Sequence, residues 1–244
     1  MENRTVVIGD ESIAFSLRRS TRKTLGISVL PNGDVEVTAP QSANLAKIEE
    51  LLKKRAGWIL DKKTEFAGQS VKASPRQFSP GETFLYLGQQ YRLKVDPSRS
   101  GVTRDGARIL VGGVQRDEAS RIRNRLVRWY AKEARRVLNE RFEIALMAFR
   151  QEIAIRPKLL IRPLRARWGS YSSRSSSLTL SRALVQVPTP LIDYVIYHEL
   201  THAIHGDHGR GFVDFLSSKM PNWKYRKAAL ERLGPELFEA PNLR

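Results

Sequence analysis

The four histidines of this 244-residue chain all lie within eleven residues, in the segment YHELTHAIHGDHGRGF. His198 and His202 are four positions apart, so on a helix they project from one face, one turn apart. This spacing allows two imidazoles to bind one tetrahedral metal ion. Glu199 completes a His-Glu-x-x-His pattern, in which the carboxylate lies near enough to contact a water on the metal. The segment therefore predicts a metal site with Glu199 as its general base.

The remaining histidines, His205 and His208, are the candidates for a third ligand. His205 continues the same helical face but stands about 10 Å from His198 along the axis, too far for one ion to bind both. His208 reaches the metal only if the helix ends and the chain turns back. Gly206 is the residue type expected just beyond a helix end, where a positive φ is needed, so we predict that the helix stops at His205. We favour His198, His202 and His208 as the ligands, with His205 flanking them.

The composition limits the kind of metal and the class of partner. The chain has no cysteine, so a metal must be bound by histidine, carboxylate or water. We expect Zn²⁺, and another divalent ion is compatible with the same donors. The net charge of +17 favours a polyanion such as nucleic acid or a nucleotide, although a solvated basic surface explains it equally well. No apolar run reaches the roughly 18 residues of a membrane span and no signal peptide is evident, so we expect a cytoplasmic protein.

The elements that position the histidines are predicted from hydrophobic periodicity and turn signals. We predict an α+β protein in which residues 1–115 form a β-rich region with one helix, from Asn44 to about Phe66. Residues 116–244 are predicted to form a second domain that carries the histidines, and the two regions are also compatible with one packed unit. Hairpins are predicted around the Pro31–Asp34 turn and near Gly88.

Two helices of the C-terminal region are expected to build the site. A long helix is predicted from Arg116 to about Phe149. The histidine helix is predicted to begin with Thr189 as N-cap, Pro190 at the first position and Asp193 in the first turn. Its apolar residues recur on most faces, which indicates that it is largely buried.

One face of the long helix carries a stripe of cations, which we call the basic ridge. Its members lie at helical spacing and are Arg121, Arg125, Arg128, Lys132 and Arg135. A ridge of this kind can lie along a phosphate backbone. It is also a common feature of a solvated helix face, and both interpretations stay open.

The C-terminal part of the chain carries the motifs of a known family. They are RWGSYSS, the strand-like LTLSRALVQV, His-Glu-x-x-His, and a further histidine, His208, six positions after His202. Together with Phe212, Pro221 and Trp223, these motifs resemble the YgjP-like metallopeptidase family of zincin-type hydrolases. Earlier segments, RRSTRKTLGISVLPNGDVEVTAP, AGWILDK and GETFLYLGQQYRL, are similar too, so the resemblance covers nearly the whole chain. Tyr171 stands where the family usually has cysteine.

The resemblance implies a zincin-like C-terminal half with a small twisted sheet, a long backing helix and an active-site helix beneath the edge of the sheet. Three neutral imidazoles leave Zn²⁺ one open position for a water. Glu199 is then expected to take the proton of that water and to pass it to the leaving group. A developing oxyanion needs a second donor, for which Arg167, Tyr171 and Tyr197 are candidates. For Tyr197 we favour packing.

Three functions follow from these residues. The preferred one is a zinc-dependent metallopeptidase, in which Ser177 to Val185 forms an edge strand that pairs with an extended peptide. The second is a metal-dependent nucleoside triphosphate pyrophosphohydrolase, an activity associated with a member of the family and compatible with the positive charge. The third is a nucleic-acid-associated protein with a structural metal. A structural site normally fills all four positions with protein ligands, so it needs Asp207 or another carboxylate.

Overall fold

The structure, a computed structural model, describes residues 2–8, 11–21, 24–30, 33–67, 76–164 and 166–239. It contains both helices and sheets, which confirms the predicted α+β class. The chain divides into two compact units. One contains the described part of Met1–Ala73 together with Gly234–Glu239, and the other the described part of Ser74–Leu233. Within the described residues, no helix combines the length and the apolar character that a membrane crossing needs.

The first unit is a four-stranded sheet with two helices. Its elements are β1 (Glu2–Ile8), β2 (Glu11–Ser20), β3 (Gly26–Val29), β4 (Val35–Pro40), α1 (Leu45–Lys54) and α2 (Ala56–Ala67). The strand order is β1-β2-β4-β3, with β2 and β4 parallel and the other pairs antiparallel. Alternate strand residues and one face of each helix form the core, because period-2 and helical patterns bury one side of each element. The core residues are Val6, Ile13, Phe15, Leu17, Val29, Val35, Val37, Ala39, Ile48, Leu52 and Ile59.

The single helix predicted from Asn44 to about Phe66 is divided into two at Arg55. The predicted cap is confirmed, since the Asn44 side chain accepts a hydrogen bond from Lys47 N at 2.9 Å. Arg55 has φ −105° and ψ 9°, outside the helical region, and its N–H donates to two carbonyls of the last turn of α1. A new helix therefore begins at Ala56.

The second unit contains two sheets and the helices that carry the site. Its strands are β5 (Thr83–Tyr86), β6 (Gln89–Asp96), β7 (Val102–Asp105), β8 (Arg108–Gly112), β9 (Lys158–Arg162), β10 (Gly169–Ser172) and β11 (Ser177–Ser181). Its helices are α3 (Ala119–Ala148), a one-turn 3₁₀ segment (Ser173–Ser175), the longer 3₁₀ helix (Arg182–Gln186), α4 (Thr189–Thr201), α5 (Arg210–Lys219) and α6 (Trp223–Glu239). The last residues of α6 belong to the first unit. The name 3₁₀ helix refers to Arg182–Gln186. The sheets have the orders β5-β6-β8-β7 and β10-β11-β9.

Helix α3 is the backing element of the second unit. It packs against β7, β8 and β9, against the 3₁₀ helix and against α4. The guanidinium of Arg141 in α3 donates to both carboxylate oxygens of Asp193 in α4, at 2.7 and 2.8 Å. Asp193 therefore pairs with α3. The helix begins one residue earlier than predicted, with Pro188 and not Thr189 as its N-cap, so Pro190 is its second residue and Asp193 lies beyond its first turn. The domain boundary predicted at residue 115 falls inside this unit, because β7 and β8 pack on α3.

Strand β11 does not have the position that we predicted for it. The sheet order places β11 in the centre, antiparallel to β10 and parallel to β9, so both of its edges are paired. The strand also ends at Ser181, where the Ser181 hydroxyl accepts from Ala183 N and the chain continues as a 3₁₀ helix. The prediction of an edge strand over Ser177–Val185 was therefore wrong, and the edges of this sheet are β10 and β9.

Both predicted hairpins are present. In the first, β3 and β4 are antiparallel, whereas Pro31 and Asn32 of its turn lie outside the described residues. In the second, the turn between β5 and β6 lies against the segment that leads into α4. Leu87 N donates to Val185 O at 2.8 Å, and Gly88 N donates to Gln186 O at 3.0 Å. This turn therefore supports the start of the histidine helix.

We expect Gly88→Ala to destabilise the protein more than Gly101→Ala, its matched control. Both glycines have a positive φ, +79° and +73°, so each alanine costs about 1–2 kcal/mol in backbone conformation. At Gly88 the new Cβ would also lie 2.5 Å from Pro188 Cγ, whereas at Gly101 it meets no atom within 4 Å. The clash should add roughly 1–3 kcal/mol of destabilisation. Urea unfolding of the two variants measures the difference, and equal free energies of unfolding would contradict the close contact.

Candidate metal centre

The side chains of His198, His202 and His208 converge in the second unit. Their ligand nitrogens all lie within 4.8 Å of one another, and among the described residues no other carboxylate or imidazole joins this group. The ring centroids are 4.5 to 5.1 Å apart. Nε2 of His198 faces Nε2 of His208 at 3.2 Å. The three histidines that we predicted as ligands are therefore brought together.

The three imidazoles fit a tetrahedral ion. Two nitrogens bound to one Zn²⁺ at 2.0–2.1 Å in tetrahedral geometry are about 3.3 Å apart, close to the 3.2 Å between His198 and His208. Burial, followed by the neighbouring histidines, lowers the pKa of His198 to about 4. Burial likewise lowers the pKa of His202. Both rings are thus neutral near pH 7, the form in which imidazole binds a metal.

The end of α4 brings His208 back toward the helix. The last α-helical residue is Thr201, and His202 is the C-cap with φ −66° and ψ −16°. The next residues form hydrogen bonds of the 3₁₀ type, since Ala203 N and Ile204 N donate to carbonyls three residues earlier. The helix thus ends before His205, where we had predicted its end. Gly206 does not have the positive φ that we expected.

His205 contributes to the centre through its backbone. Its carbonyl oxygen lies 3.2 Å from His202 Nδ1 and accepts a hydrogen bond when that nitrogen carries the proton. This contact leaves His202 Nε2 available to a metal, which is the usual arrangement for a histidine ligand. The His205 ring lies instead beside Phe215, with centroids 5.6 Å apart. That His205 flanks the metal ligands stays a prediction.

Phe212 packs its ring against all three imidazoles. It lies in the first turn of α5, is 2% exposed, and its ring centroid is 4.7 to 5.0 Å from those of all three histidines. Such packing restricts the rotamers of the rings and fixes the directions of their nitrogens. We had noted Phe212 only as a match to a family motif, because its spacing alone does not show what it contacts.

Glu199 is buried beside β10 and is not part of the histidine group. Its carboxylate accepts a hydrogen bond from Tyr171 N, and its residue is 7% exposed. Burial raises the pKa of Glu199 to about 7, while the Tyr171 N–H and the charge of Arg167 oppose that rise. A Cβ on Gly169 would lie 2.9 Å from Glu199 Oε1, so only glycine leaves room for the carboxylate.

The other predicted side chains occupy different positions. Arg167 is exposed and acts on Glu199 through its charge. Tyr171 is half-buried on β10. Tyr197 packs edge-on against Phe149, with centroids 5.1 Å apart, which agrees with the packing role that we favoured. Asp207 Oδ1 accepts from the N–H of the residue two positions later, at 2.9 Å, and the residue does not belong to the metal-binding group.

The basic ridge lies on α3, and two of its members interact with neighbouring residues of the same unit. Arg121 forms an ion pair with Glu118, and Arg125 donates to Gly113 O at 3.2 Å. Arg128 and Lys132 are exposed. The first two members therefore have local structural partners, whereas the later ones face solvent.

A family model for the YgjP-like metallopeptidase domain matches residues 23–233. The chain belongs to this family. It is accordingly a metal-dependent hydrolase, which confirms the resemblance of its motifs and the class of enzyme that we predicted. No curated protein sequence matches the chain.

The structure is also similar to two solved metallopeptidase zymogens. Jannalysin from Methanocaldococcus jannaschii is 20% identical, with a TM-score of 0.35, and the match covers 38% of this chain and 92% of jannalysin. Abylysin from Pyrococcus abyssi is also 20% identical, with a TM-score of 0.35, and the match covers 39% of this chain and 94% of abylysin.

Proposed function

We propose that this protein is a zinc-dependent metallopeptidase in which His198, His202 and His208 hold the ion and Glu199 is the general base. One observation carries the proposal: a buried carboxylate lies next in sequence to a histidine of a three-imidazole group and is fixed against a sheet edge. Among the described residues, that group has three members. Three protein ligands are typical of catalytic zinc sites, which keep a position open for chemistry.

Each residue has a distinct role in this proposal. The ion, when bound, polarises the attacked carbonyl and lowers the pKa of a coordinated water. Glu199 accepts the proton of the attacking water and donates it to the leaving amine. Its pKa of about 7 suits both steps near neutral pH. Tyr171 N holds the carboxylate in place, while Arg167 and the Tyr171 side chain remain our candidates for a donor to the developing oxyanion.

The peptide is proposed to bind along β10 and not along β11. Strand β10 lies at the edge of its sheet and packs against α4. Tyr171 N donates to Glu199, so this side of the strand faces the general base. An extended peptide paired with an edge strand gains main-chain hydrogen bonds along its length. Such pairing would present a peptide carbonyl to the metal centre.

The two alternative functions have less support. A structural metal needs a fourth protein ligand, and Asp207, our candidate for it, instead accepts a hydrogen bond within its own turn. A phosphohydrolase needs several cations that meet a triphosphate. Arg167 acts on Glu199 through its charge, whereas the exposed members of the basic ridge lie on α3 and not on β10 or α4. The peptidase therefore remains the function that the geometry supports best.

We expect Gly169→Ala to lower activity while the protein keeps its metal. The added methyl would press on Glu199 Cγ and Oε1, both 2.9 Å from the new Cβ, and would displace the carboxylate. A shift of about 1 Å in a catalytic group costs roughly 10²-fold in rate. Gly57→Ala is the matched control, since its Cβ meets no atom within 4 Å. Peptidase rates and metal content would be measured for both, and full activity in Gly169→Ala would contradict this position of the carboxylate.

The proposed function is tested by giving the zinc-loaded protein a peptide library and a nucleotide panel in parallel assays. We expect cleavage of internal peptide bonds, its loss on treatment with a chelator, and its recovery when zinc is restored. Release of pyrophosphate or phosphate from nucleotides without peptide cleavage would replace the peptidase with the phosphohydrolase. Absence of both activities in protein with a full complement of zinc would favour a structural metal.

A further inference from the structure

Arg182 is held against the basic ridge of α3 without a carboxylate partner among the described residues. It begins the 3₁₀ helix that packs on α3, and its side chain is half-buried. Burial, followed by the positive charge of Arg135, lowers its pKa. Arg182 is half-buried and Arg135 is exposed, and their like charges repel each other, so an anion bound beside them would relieve that repulsion.

The carboxylates of this part of α3 already have partners. Glu133 accepts from Tyr86 Oη at 2.6 Å and from Arg136 Nη2 at 3.0 Å. Glu140 lies 3.6 Å from the same arginine. These acids therefore do not neutralise the ridge. Four cations of this region have no side-chain hydrogen bond or ion pair among the described residues; they are Arg128, Lys132, Arg135 and Arg182.

Three of these cations form a line along the helix. Arg128, Lys132 and Arg135 lie at positions i, i+4 and i+7, all exposed, and span about 10 Å along the axis. One strand of a duplex carries a charge about every 3.4 Å along its axis, so this line matches roughly three nucleotides. Evenly spaced cations suit an evenly charged backbone.

The surroundings of the line differ from those of a protein-binding surface. Interfaces between proteins have an apolar centre, often aromatic or methionine-rich. The large exposed apolar residues of α3, Ile144 and Met147, lie toward its other end, more than one turn beyond Arg135. A stripe of exposed cations without an apolar centre is the electrostatic pattern typical of binding to a phosphate backbone.

We propose that Arg128, Lys132, Arg135 and Arg182, here called the arginine-lysine site, bind the phosphodiester backbone of a nucleic acid. We expect the site to bind without preference for a base sequence, because contacts to phosphates position a protein without identifying bases. It goes beyond the peptidase and does not depend on it. A peptidase with such a site would be concentrated where its substrates are associated with nucleic acid.

Salt-dependent binding tests the site. Fluorescence anisotropy would measure the affinity of the full chain for a labelled 20-nucleotide single strand and for a 20-base-pair duplex over a series of salt concentrations. We expect Lys132→Gln/Arg135→Gln to reduce the slope of log affinity against log salt on the duplex by about 1.8, because each lost phosphate contact removes about 0.9. Affinity at low salt should fall about tenfold or more. The thermal midpoint should not decrease, since neither side chain has a partner to lose among the described residues.

The matched control is Arg92→Gln/Lys94→Gln on β6, which removes the same charge from two other exposed positions. Its slope should equal that of the parent protein, and a second ridge variant, Arg128→Gln/Lys132→Gln, should repeat the effect of the first. Equal slopes for ridge and control variants would overturn the site. So would the absence of binding at low salt, or displacement by poly-glutamate as effective as displacement by unlabelled nucleic acid, which would assign the site to an acidic polypeptide. A preference between single strand and duplex identifies the form that is bound.

Discussion

Glu199→Gln should abolish most of the activity while the protein keeps its metal and its stability. The amide has the shape of the carboxylate but does not take up the proton of the attacking water. The loss of a general base typically lowers the rate about 10²–10⁴-fold. The carboxylate lies outside the three-imidazole group, so its replacement removes no metal ligand. Thermal stability should hold because the amide oxygen still accepts from Tyr171 N.

Three quantities are measured on this variant: metal per chain, thermal midpoint and kcat on a cleaved peptide. Glu140→Gln on α3 serves as the control, because it removes the same charge from an exposed position. Loss of the metal from Glu199→Gln would show that a ligand had been mistaken for a base. Undiminished turnover would exclude Glu199 from the mechanism.

His208→Ala should lose metal as severely as His198→Ala or His202→Ala, while His205→Ala should keep most of it. Three imidazole nitrogens lie within 4.8 Å of one another, and each is needed for the proposed coordination. His205 contacts the centre through its carbonyl oxygen, which alanine also has, and its ring lies beside Phe215. Removing an outer partner typically costs 10–100-fold in affinity, and removing a ligand should cost more than about 100-fold.

Metal counts by plasma mass spectrometry, together with competition against a zinc chelator, measure these affinities on the four purified variants. His205→Ala acts as the internal control, since it removes an imidazole from the same segment. If His205→Ala loses its zinc and His208→Ala retains it, the third ligand is His205 and not His208.

The site was predictable where spacing alone determines geometry. His198 and His202 share a helical face at any helix length. We inferred His208 as the third ligand because His205 lies too far from His198 along the helix axis. The manner of the chain reversal was not predictable. We assigned it to a left-handed Gly206, whereas Gly206 has no positive φ and two hydrogen bonds of the 3₁₀ type follow the end of the α-helix. Local turn geometry depends on packing, which a residue type does not specify.

Contacts between distant segments, such as the strand pairing of the β10-β11-β9 sheet, were not predictable either. The apolar pattern of Ser177–Ser181 identifies a strand but does not say which neighbours pair with it, so its central position was missed. Gly169 was part of a motif, yet its role depends on Glu199, thirty positions later, lying against it. Such contacts between distant segments are set by tertiary packing and leave no periodic signal in the sequence.

A crystal structure of the zinc-loaded protein, with anomalous diffraction at the zinc edge, tests the central claim most directly. We predict one strong peak about 2.0–2.1 Å from a nitrogen of each of His198, His202 and His208. We further predict no fourth side chain bonded to it, and the Glu199 carboxylate near it but not coordinated. A peak elsewhere, or an ion whose four positions are all filled by side chains of the protein, would contradict the proposed catalytic centre.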